Sequence, residues 1–218
     1  MLKLYYNPIS PNARRVWITL LEKDIPFEGV TMNLNGDQLQ PEFLEINPFH
    51  HIPVLIDDGL RVVESLAIMD YLESKYPSPA LLPQSPEMLA KVRMVQMITT
   101  NELFPQIVGL IDDNQELTKI AKIKDNINTI CNFFTDLLGD KPYFGGEELS
   151  LADIVAGVAI SALPYLEFNL QPYQKIYDWS ARLMQRPAWQ KTQLSMEDFD
   201  KFKGRVRVLL KLRRREMK

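Results

Sequence analysis

Asn47-Pro48-Phe49-His50-His51-Ile52-Pro53-Val54-Leu55, followed by Asp58-Gly59 and then by Glu64-Ser65 at the head of an apolar-patterned run, is the stretch whose reading decides the fold. Asp58-Gly59 is a hairpin turn signal, and Val54-Leu55-Ile56 and Leu60 with Val62-Val63 are the strands it joins. A helix then runs from about Ser65 to Tyr76, with Ile68, Tyr71 and Leu72 at helical spacing. The polar side chains therefore gather at one end of a small sheet, a place suited to holding a small peptide.

Working outward, the first 80 residues alternate between strand and helix periods. Leu2 to Tyr6 reads as a strand, Ala13 to Lys23 as a helix, Phe27 to Met32 as a second strand and Pro41 to Ile46 as a short helical turn. A helix crossing over between strands one and two implies a parallel pair, which the hairpin extends with antiparallel strands. Pro77-Ser78-Pro79, Leu82-Pro83 and Ser85-Pro86 interrupt every regular pattern and mark a linker. Beyond it no convincing strand appears. Met88, Val92, Val95 and Ile98 form one helical stripe, and Ile120, Ile123, Ile127, Ile130, Phe134 and Leu137 form a second with bundle-like spacing. Ser150-Leu151-Ala152-Asp153 resembles a capping box with Asp in place of Glu or Gln, and Leu149 with Ile154 fits a hydrophobic staple. That gives Asp153 a sufficient structural role. Phe199, Phe202, Val206 and Leu209 predict a further amphipathic helix. The expected organisation is α/β plus all-α: a first domain over 1–78, a linker over 79–87 and a helical domain over 88–218.

Composition sets outer bounds. With 218 residues, 46% apolar and 24% charged, the chain has enough length for one large or two modest cores. No apolar run approaches the roughly 18 residues of a membrane span. Met1-Leu2-Lys3-Leu4-Tyr5-Tyr6 also lacks a signal peptide's basic and small-residue regions, so a cytoplasmic location is expected. The single cysteine, Cys131, excludes an internal disulfide and a cysteine-based zinc cluster, and its helical surroundings predict a core or interface position. Residues 204–218 carry seven Lys or Arg against one acid, Glu216, a local charge of +6 that leaves −9 on the rest. A nucleic-acid or membrane reading of this tail is set against a solvated helix end, and the acidic body favours the latter. Neither nucleic acid nor membrane is therefore an expected partner.

Asn7-Pro8-Ile9-Ser10-Pro11-Asn12 lies between the first strand and helix, with Ser10 as N-cap and Pro11 at the first helical position. A hydroxyl there also sits in a field that favours negative charge and suits stabilisation of a thiolate, whose parent thiol has a pKa of about 8.5. Glu64-Ser65 at a second helix start suits the two charges of an amino acid, its carboxylate toward Ser65 and its ammonium toward Glu64; a simple capped helix is the alternative. Pro53, if cis, leaves the Ile52 N–H and C=O to pair with a bound peptide backbone, and an edge-strand proline is the alternative. His50 and His51, as neighbours in an extended segment, point to opposite faces and lack a third ligand, so no metal is expected.

Four segments in order, Ser10-Pro11-Asn12-Ala13-Arg14, Asn47-Pro48 leading to Ile52-Pro53-Val54-Leu55, Glu64-Ser65-Leu66-Ala67-Ile68 and Ser150-Leu151-Ala152-Asp153, closely resemble the cytosolic glutathione transferase family over essentially the whole chain. The resemblance implies a thioredoxin-like N-terminal domain that binds glutathione, a helical-bundle C-terminal domain that lines an electrophile pocket, and a homodimer. Ser10 resembles the thiolate-stabilising serine of theta- and delta-like classes, with Tyr6 and Asn12 as alternatives. Glu64 and Ser65 resemble the γ-glutamyl site, Ile52 before Pro53 the backbone partner of the cysteinyl part, and His50, with His51 and Gln38 as further candidates, the glycine-carboxylate site. Leu66 stands where many serine-type members carry an arginine. Phe104, Ile107, Tyr165 and Phe168 are candidate electrophile-lining residues, each equally open to a core role. The implied activity is attack of a glutathione thiolate, glutathione being the co-substrate, on a small hydrophobic electrophile or peroxide. A ligand-carrying relative with little catalysis and a glutathione-dependent isomerase are the alternatives.

Overall fold

A computed structural model of the chain describes residues 1–34 and 36–216. Lys218, counted above in the basic tail, lies outside them. The described residues fall into two compact units, Met1–Leu81 with Pro187–Gln193, and Leu82–Arg186 with the residues from Leu194 onward.

The first unit is built on β1 (Lys3–Tyr6), β2 (Glu28–Thr31), β3 (Val54–Asp57) and β4 (Leu60–Val63), with helices α1 (Pro11–Glu22), α2 (Pro41–Ile46) and α3 (Ser65–Lys75). Strand order is β2-β1-β3-β4. β1 runs parallel to β2, as a helical crossover requires, while β3 is antiparallel to both β1 and β4. Alternation along the strands splits the buried side chains between two faces. Val54 joins Met32 and Phe43 on one face, with Tyr5, Val30 and Ile56 packed around them. Leu4 and Leu55, directly paired and fully buried, turn to the other, where α1 and α3 pack together.

Two local expectations change. Helix α1 starts at Pro11, as the reading of Ser10-Pro11 as cap and first helical position has it, rather than at Ala13, where the helical pattern begins, because proline's fixed φ and missing N–H suit that position. Pro53 is not an edge-strand proline, since the strand it precedes is interior. Its peptide bond with Ile52 is cis.

Polar ties close this unit. The buried Lys23 ammonium donates to Glu73 and to the Pro79 carbonyl, both at 2.6 Å, and Glu73 also accepts the Leu81 N–H, which fastens the proline-rich segment after α3. Lys75 and Tyr71 on α3 both donate to Asp57 at the end of β3, and these two bonds hold the carboxyl below the usual range. The short helix α9 (Pro187–Lys191) belongs here too, with buried Trp189 beneath the Arg14 guanidinium.

The second unit contains α4 (Pro86–Ile98), α5 (Phe104–Ile111), α6 (Leu117–Leu138), α7 (Leu151–Ile160), α8 (Gln174–Met184) and α10 (Met196–Glu216). A wide π turn over Thr99–Leu103 joins α4 to α5, a feature that apolar periodicity does not reveal. Pro105 accounts for it: lacking an N–H, it cannot bond the Asn101 carbonyl one turn back, and its ring crowds that carbonyl. On α6 the expected stripe is buried at Ile123, Ile127, Ile130 and Phe134, and Leu138 rather than Leu137 takes the last fully inward position. Cys131 is buried beside it, its thiol pushed up to about 12 by desolvation.

Helix α7 begins with the predicted capping box. Asp153 accepts from the Ser150 N–H, the Phe144 N–H and the Trp179 indole N–H, each at 2.8 Å, and from the Ser150 hydroxyl at 2.6 Å. Its two oxygens thereby tie α7, α8 and the preceding loop together. Leu149 and Ile154 are both buried, as a staple requires. The stripe predicted for α10 holds at Phe199 and Phe202 but fails at Leu209, which is 45% exposed. Past Val206 the helix is held by ion pairs instead: Arg207 bonds Asp113 and the Ile111 carbonyl, and Arg214 bonds Asp112.

Candidate active site

Register brings three polar segments to one end of the first unit's sheet. Tyr5 pairs with Val54, and Val54 with Val63. The loop after β1, the Ile52-Pro53 segment before β3 and Glu64-Ser65 after β4 therefore emerge side by side.

Ser10 is the N-cap of α1, with extended backbone, and its Oγ accepts the Ala13 N–H at 3.3 Å. Its position is set from behind. Asn7 donates its side-chain amide to the Met32 carbonyl at 2.8 Å, accepts the Ile9 N–H at 3.0 Å, and offers its carbonyl to the Ser10 N–H. Among the described residues no acceptor faces the Ser10 hydroxyl hydrogen, and Asn12, following a proline without an N–H, has an unclaimed backbone N–H. These two donors lie at the positive end of the α1 dipole, where they suit an anion. The Asn12 side chain is turned the other way, accepting from Arg15. Arg15 is buried, and desolvation brings its guanidinium down to about 10 against the opposing pull of Glu64.

Tyr6 points elsewhere. Its ring meets Trp17 edge-on, 5.4 Å between centroids, and lies over Gly29 on β2, where a Cβ would come within 3.0 Å of it. Trp17 is two turns along α1 from Ser10, about 10 Å at 1.5 Å per residue.

Asn47 organises the second segment. Only 2% exposed, it accepts the Phe49 N–H at 3.1 Å, donates to the His51 carbonyl at 2.8 Å and caps the turn by accepting the His50 N–H on its own carbonyl. His50 consequently takes a left-handed φ of 48°, and the two histidine rings meet edge-to-face at 5.4 Å. This overturns the reading that they point to opposite faces, which assumed an extended backbone. They form one exposed imidazole pair, and among the described residues no group of three or more metal-ligating side chains gathers around them or elsewhere. The Ile52 N–H and C=O have no partner among the described residues. Gln38 sits in a short turn, Asp37–Leu39, donating to the Leu34 carbonyl at 3.2 Å while its buried Oε1 has no partner.

At the third segment Glu64 holds a φ of 66° and makes no side-chain cap bond, so its carboxylate stays exposed. Ser65 is buried directly after it. The N–H groups of Ser65, Leu66 and Ala67 are unclaimed; the first α3 bond runs from the Ile68 N–H to the Glu64 carbonyl at 2.9 Å.

The four candidate electrophile residues divide. Ile107 and Phe168 are buried in the helical unit, Phe168 stacked on Tyr173, and both serve its core. Phe104 and Tyr165 are partly exposed, with Tyr165 lying on Phe199 at 4.8 Å. Sequence reading missed Asn7, Arg15 and the side-chain role of Asn47. An asparagine closing a strand or helix just before proline is the signal that finds Asn7 and Asn47; the burial of Arg15 left none.

Residues 4–80 match the family model for the glutathione S-transferase N-terminal domain, and residues 74–187 match that for the C-terminal domain. The chain belongs to the glutathione S-transferase family. Its thioredoxin-like domain followed by a helical domain is the fold that the sequence predicted. Among similar proteins, glutathione S-transferase D7 of Drosophila melanogaster is 28% identical over 214 residues, 92% of each chain. Maleylacetoacetate isomerase of Mus musculus is 33% identical over 181 residues, 79% of this chain and 83% of that one. Among solved structures, a delta-class glutathione transferase of Nilaparvata lugens superposes with a TM-score of 0.82 at 26% identity, covering 95% of this chain and 99% of the other.

Proposed function

We propose that this transferase binds glutathione along the sheet end and directs its thiolate at small hydrophobic electrophiles, which it conjugates, or at peroxides, whose O–O bond the thiolate cleaves to give an alcohol and a glutathione sulfenic acid that a second glutathione converts to the disulfide and water. The observation that carries the reading is the convergence of unclaimed donors and acceptors on one edge, in an order that fits γ-glutamate, cysteine and glycine. The α3 N-terminus and Ser65 take the γ-glutamyl carboxylate, and Glu64 takes its ammonium. Ile52 pairs with the cysteinyl backbone in the manner of strand addition. His50, with His51 and Gln38, faces the glycine carboxylate.

Ser10 then stabilises the cysteinyl sulfur. Its hydroxyl keeps the Ala13 N–H on its lone pair and donates its hydrogen to the sulfur, while the Asn12 N–H and the α1 dipole add to the field. The thiol proton leaves to solvent, and the thiolate pair forms a bond to the electrophilic carbon as the leaving group departs or the adjacent atom is protonated. The protein's share is positioning and thiolate stabilisation. Tyr6, turned toward Trp17 and Gly29, is a poorer candidate for this contact, and Asn12 acts through its backbone.

The active form we propose is a cytoplasmic homodimer, favoured by Met94 and Met97, apolar side chains on α4 that are 43% and 49% exposed. A second reading, glutathione-dependent cis–trans isomerisation, is favoured by the 33% identity to maleylacetoacetate isomerase. Both are tested by passing the protein over immobilised glutathione and assaying turnover on a panel of aryl halides, epoxides, hydroperoxides and cis-alkenes. Retention with conjugation supports the transferase, turnover of the alkenes alone supports the isomerase, and retention without turnover points to a carrier. Failure to be retained overturns the assignment.

A further inference from the structure

Helix α10 changes character along its length. Glu197, Asp198 and Asp200 lie in its first turns, and from Arg205 onward the described residues up to Arg215 contain no acid. Positive charge at a helix C-terminus complements the dipole and needs no ligand. The apolar side chains between those charges are not explained that way. Val208, Leu209 and Leu212 are 49%, 45% and 47% exposed, although all three are aliphatic.

Their spacing places them together. Arg205, Val208, Leu209 and Leu212 stand at i, i+3, i+4 and i+7, one side of a helix. Lys211 and Arg215 follow along one border and Arg213 along the other, all three exposed. Arg207 and Arg214, seven residues apart and so on a common side, are the ones that bond Asp113, Asp112 and the Ile111 carbonyl. The helix is thus anchored by one side and presents an aliphatic stripe bordered by cations on the other.

We propose that this stripe docks the protein on an anionic lipid bilayer, with the α10 axis parallel to the membrane plane. Aliphatic side chains between cations suit the boundary between headgroup and acyl chain, where the chains are buried and the cations meet lipid phosphate. Nucleic acid would use the cations and leave the leucines idle. The net negative charge of the rest of the chain does not oppose docking strongly, because the field of an exposed charge fades over about 8 Å at physiological ionic strength. Asp200 to Lys211 already spans about 16 Å along the helix. Docking is peripheral: no helix among the described residues is long and apolar enough to cross a membrane.

The test is co-sedimentation of the full chain with vesicles of phosphatidylcholine alone and of phosphatidylcholine with roughly a third phosphatidylserine. Binding to the anionic vesicles should be tighter by about tenfold or more and should be lost at high salt. The double variant Leu209→Ser/Leu212→Ser and the triple variant Arg205→Gln/Arg213→Gln/Arg215→Gln should each abolish it, with glutathione retention and the helical circular dichroism signal unchanged. Equal binding to both vesicles, or none, overturns the proposal. So does binding that survives the leucine substitutions, which would leave a charge-only surface, with random-sequence duplex DNA the ligand to assay next. Conversion from dimer to monomer in the leucine variant, without vesicle binding by the wild type, would assign the stripe to a second copy of the chain and equally overturn it.

Discussion

Substituting Ser10 separates its cap from its proposed thiolate contact, because the two use different parts of one hydroxyl. The cap is the lone pair that accepts the Ala13 N–H at 3.3 Å, a long bond. Loss of an N-cap serine to alanine costs about 0.5–2 kcal/mol, and this distance places Ser10→Ala at the low end. Glycine at an N-cap costs only a few tenths of a kcal/mol, so Ser10→Gly should leave stability almost intact. Neither residue donates to sulfur. A hydrogen bond to a charged group is worth about 1.5–3 kcal/mol, and each pKa unit corresponds to 1.36 kcal/mol, so both variants should raise the bound thiol by about 1–2 units. From a midpoint near neutrality that shift cuts the thiolate fraction at pH 7 roughly tenfold. The assays are the pH profile of kcat/KM, the ultraviolet absorbance of the bound thiolate, and urea unfolding on the same preparations. The reasoning is refuted if both variants keep the wild-type pH midpoint within about 0.3 unit, the scale being set against the shift of 1–2 units expected. Ser10 would then be a cap alone, and the thiolate would rest on the Asn12 N–H and the helix dipole.

Three other substitutions test the surrounding framework. Asn47→Ala removes the bonds to the Phe49 N–H and the His51 carbonyl, about 1 kcal/mol each, and should raise KM for glutathione about tenfold while kcat changes little; a normal KM in a destabilised protein would show that the loop is not a binding element. Asp57→Asn tests linkage: Lys75 and Tyr71 hold this carboxyl below its unfolded range, so its contribution is present above about pH 4 and is lost as the pH falls through the folded value. The wild-type advantage in urea unfolding, about 1–2 kcal/mol at pH 7, should therefore shrink below pH 4, and an advantage independent of pH would rule the linkage out. Leu66→Arg adds a guanidinium beside the proposed γ-glutamyl site and should lower KM for glutathione about tenfold, a gain of about 1.5–3 kcal/mol less the cost of a cation at a helix N-terminus; an unchanged KM would place the γ-glutamyl carboxylate away from the first turn of α3.

What was legible in the sequence is what neighbours decide. Asp58-Gly59 fixes a hairpin by itself, Ser10-Pro11 fixes a helix start, and Ser150 with Asp153 satisfies two backbone donors without help from elsewhere in the fold. The pairing of β1 with β2 also followed, since a helical connection leaves little choice of direction. What stayed hidden depends on distant partners or on a backbone exception. The histidine rings meet because Asn47 bends the chain through a left-handed His50, and an alternation rule has no term for that. Leu209 falls outside the core because Asp112 and Asp113, about a hundred residues earlier, hold the opposite side of α10. The buried place of Arg15 is likewise a product of packing, and its charge argued the other way.

The two helix starts at the sheet end differ in a manner that bears on how the site works. At α1 the cap is filled: Ser10 accepts the Ala13 N–H, and Pro11 removes one donor altogether, so only the Ser10 hydroxyl hydrogen and the Asn12 N–H remain outward. A site with two donors is selective for a small, concentrated charge such as a single sulfur. At α3 the cap is withheld, because the φ of 66° at Glu64 turns its carboxylate away from the first turn and leaves three N–H groups in a row. A non-glycine residue in that conformation costs on the order of 1–3 kcal/mol, and it persists only where the surroundings enforce it. Here they do: Val63 is locked into the sheet opposite Val54 on one side, and the Ile68 N–H holds the Glu64 carbonyl on the other. The strain keeps an acid that would otherwise satisfy those donors from doing so, which in the proposed function leaves them for a carboxylate that arrives with the ligand and leaves the acid for that ligand's ammonium. Glu64→Gly would relax the backbone and keep the donors, so a more stable protein with weaker glutathione retention is the result this account requires.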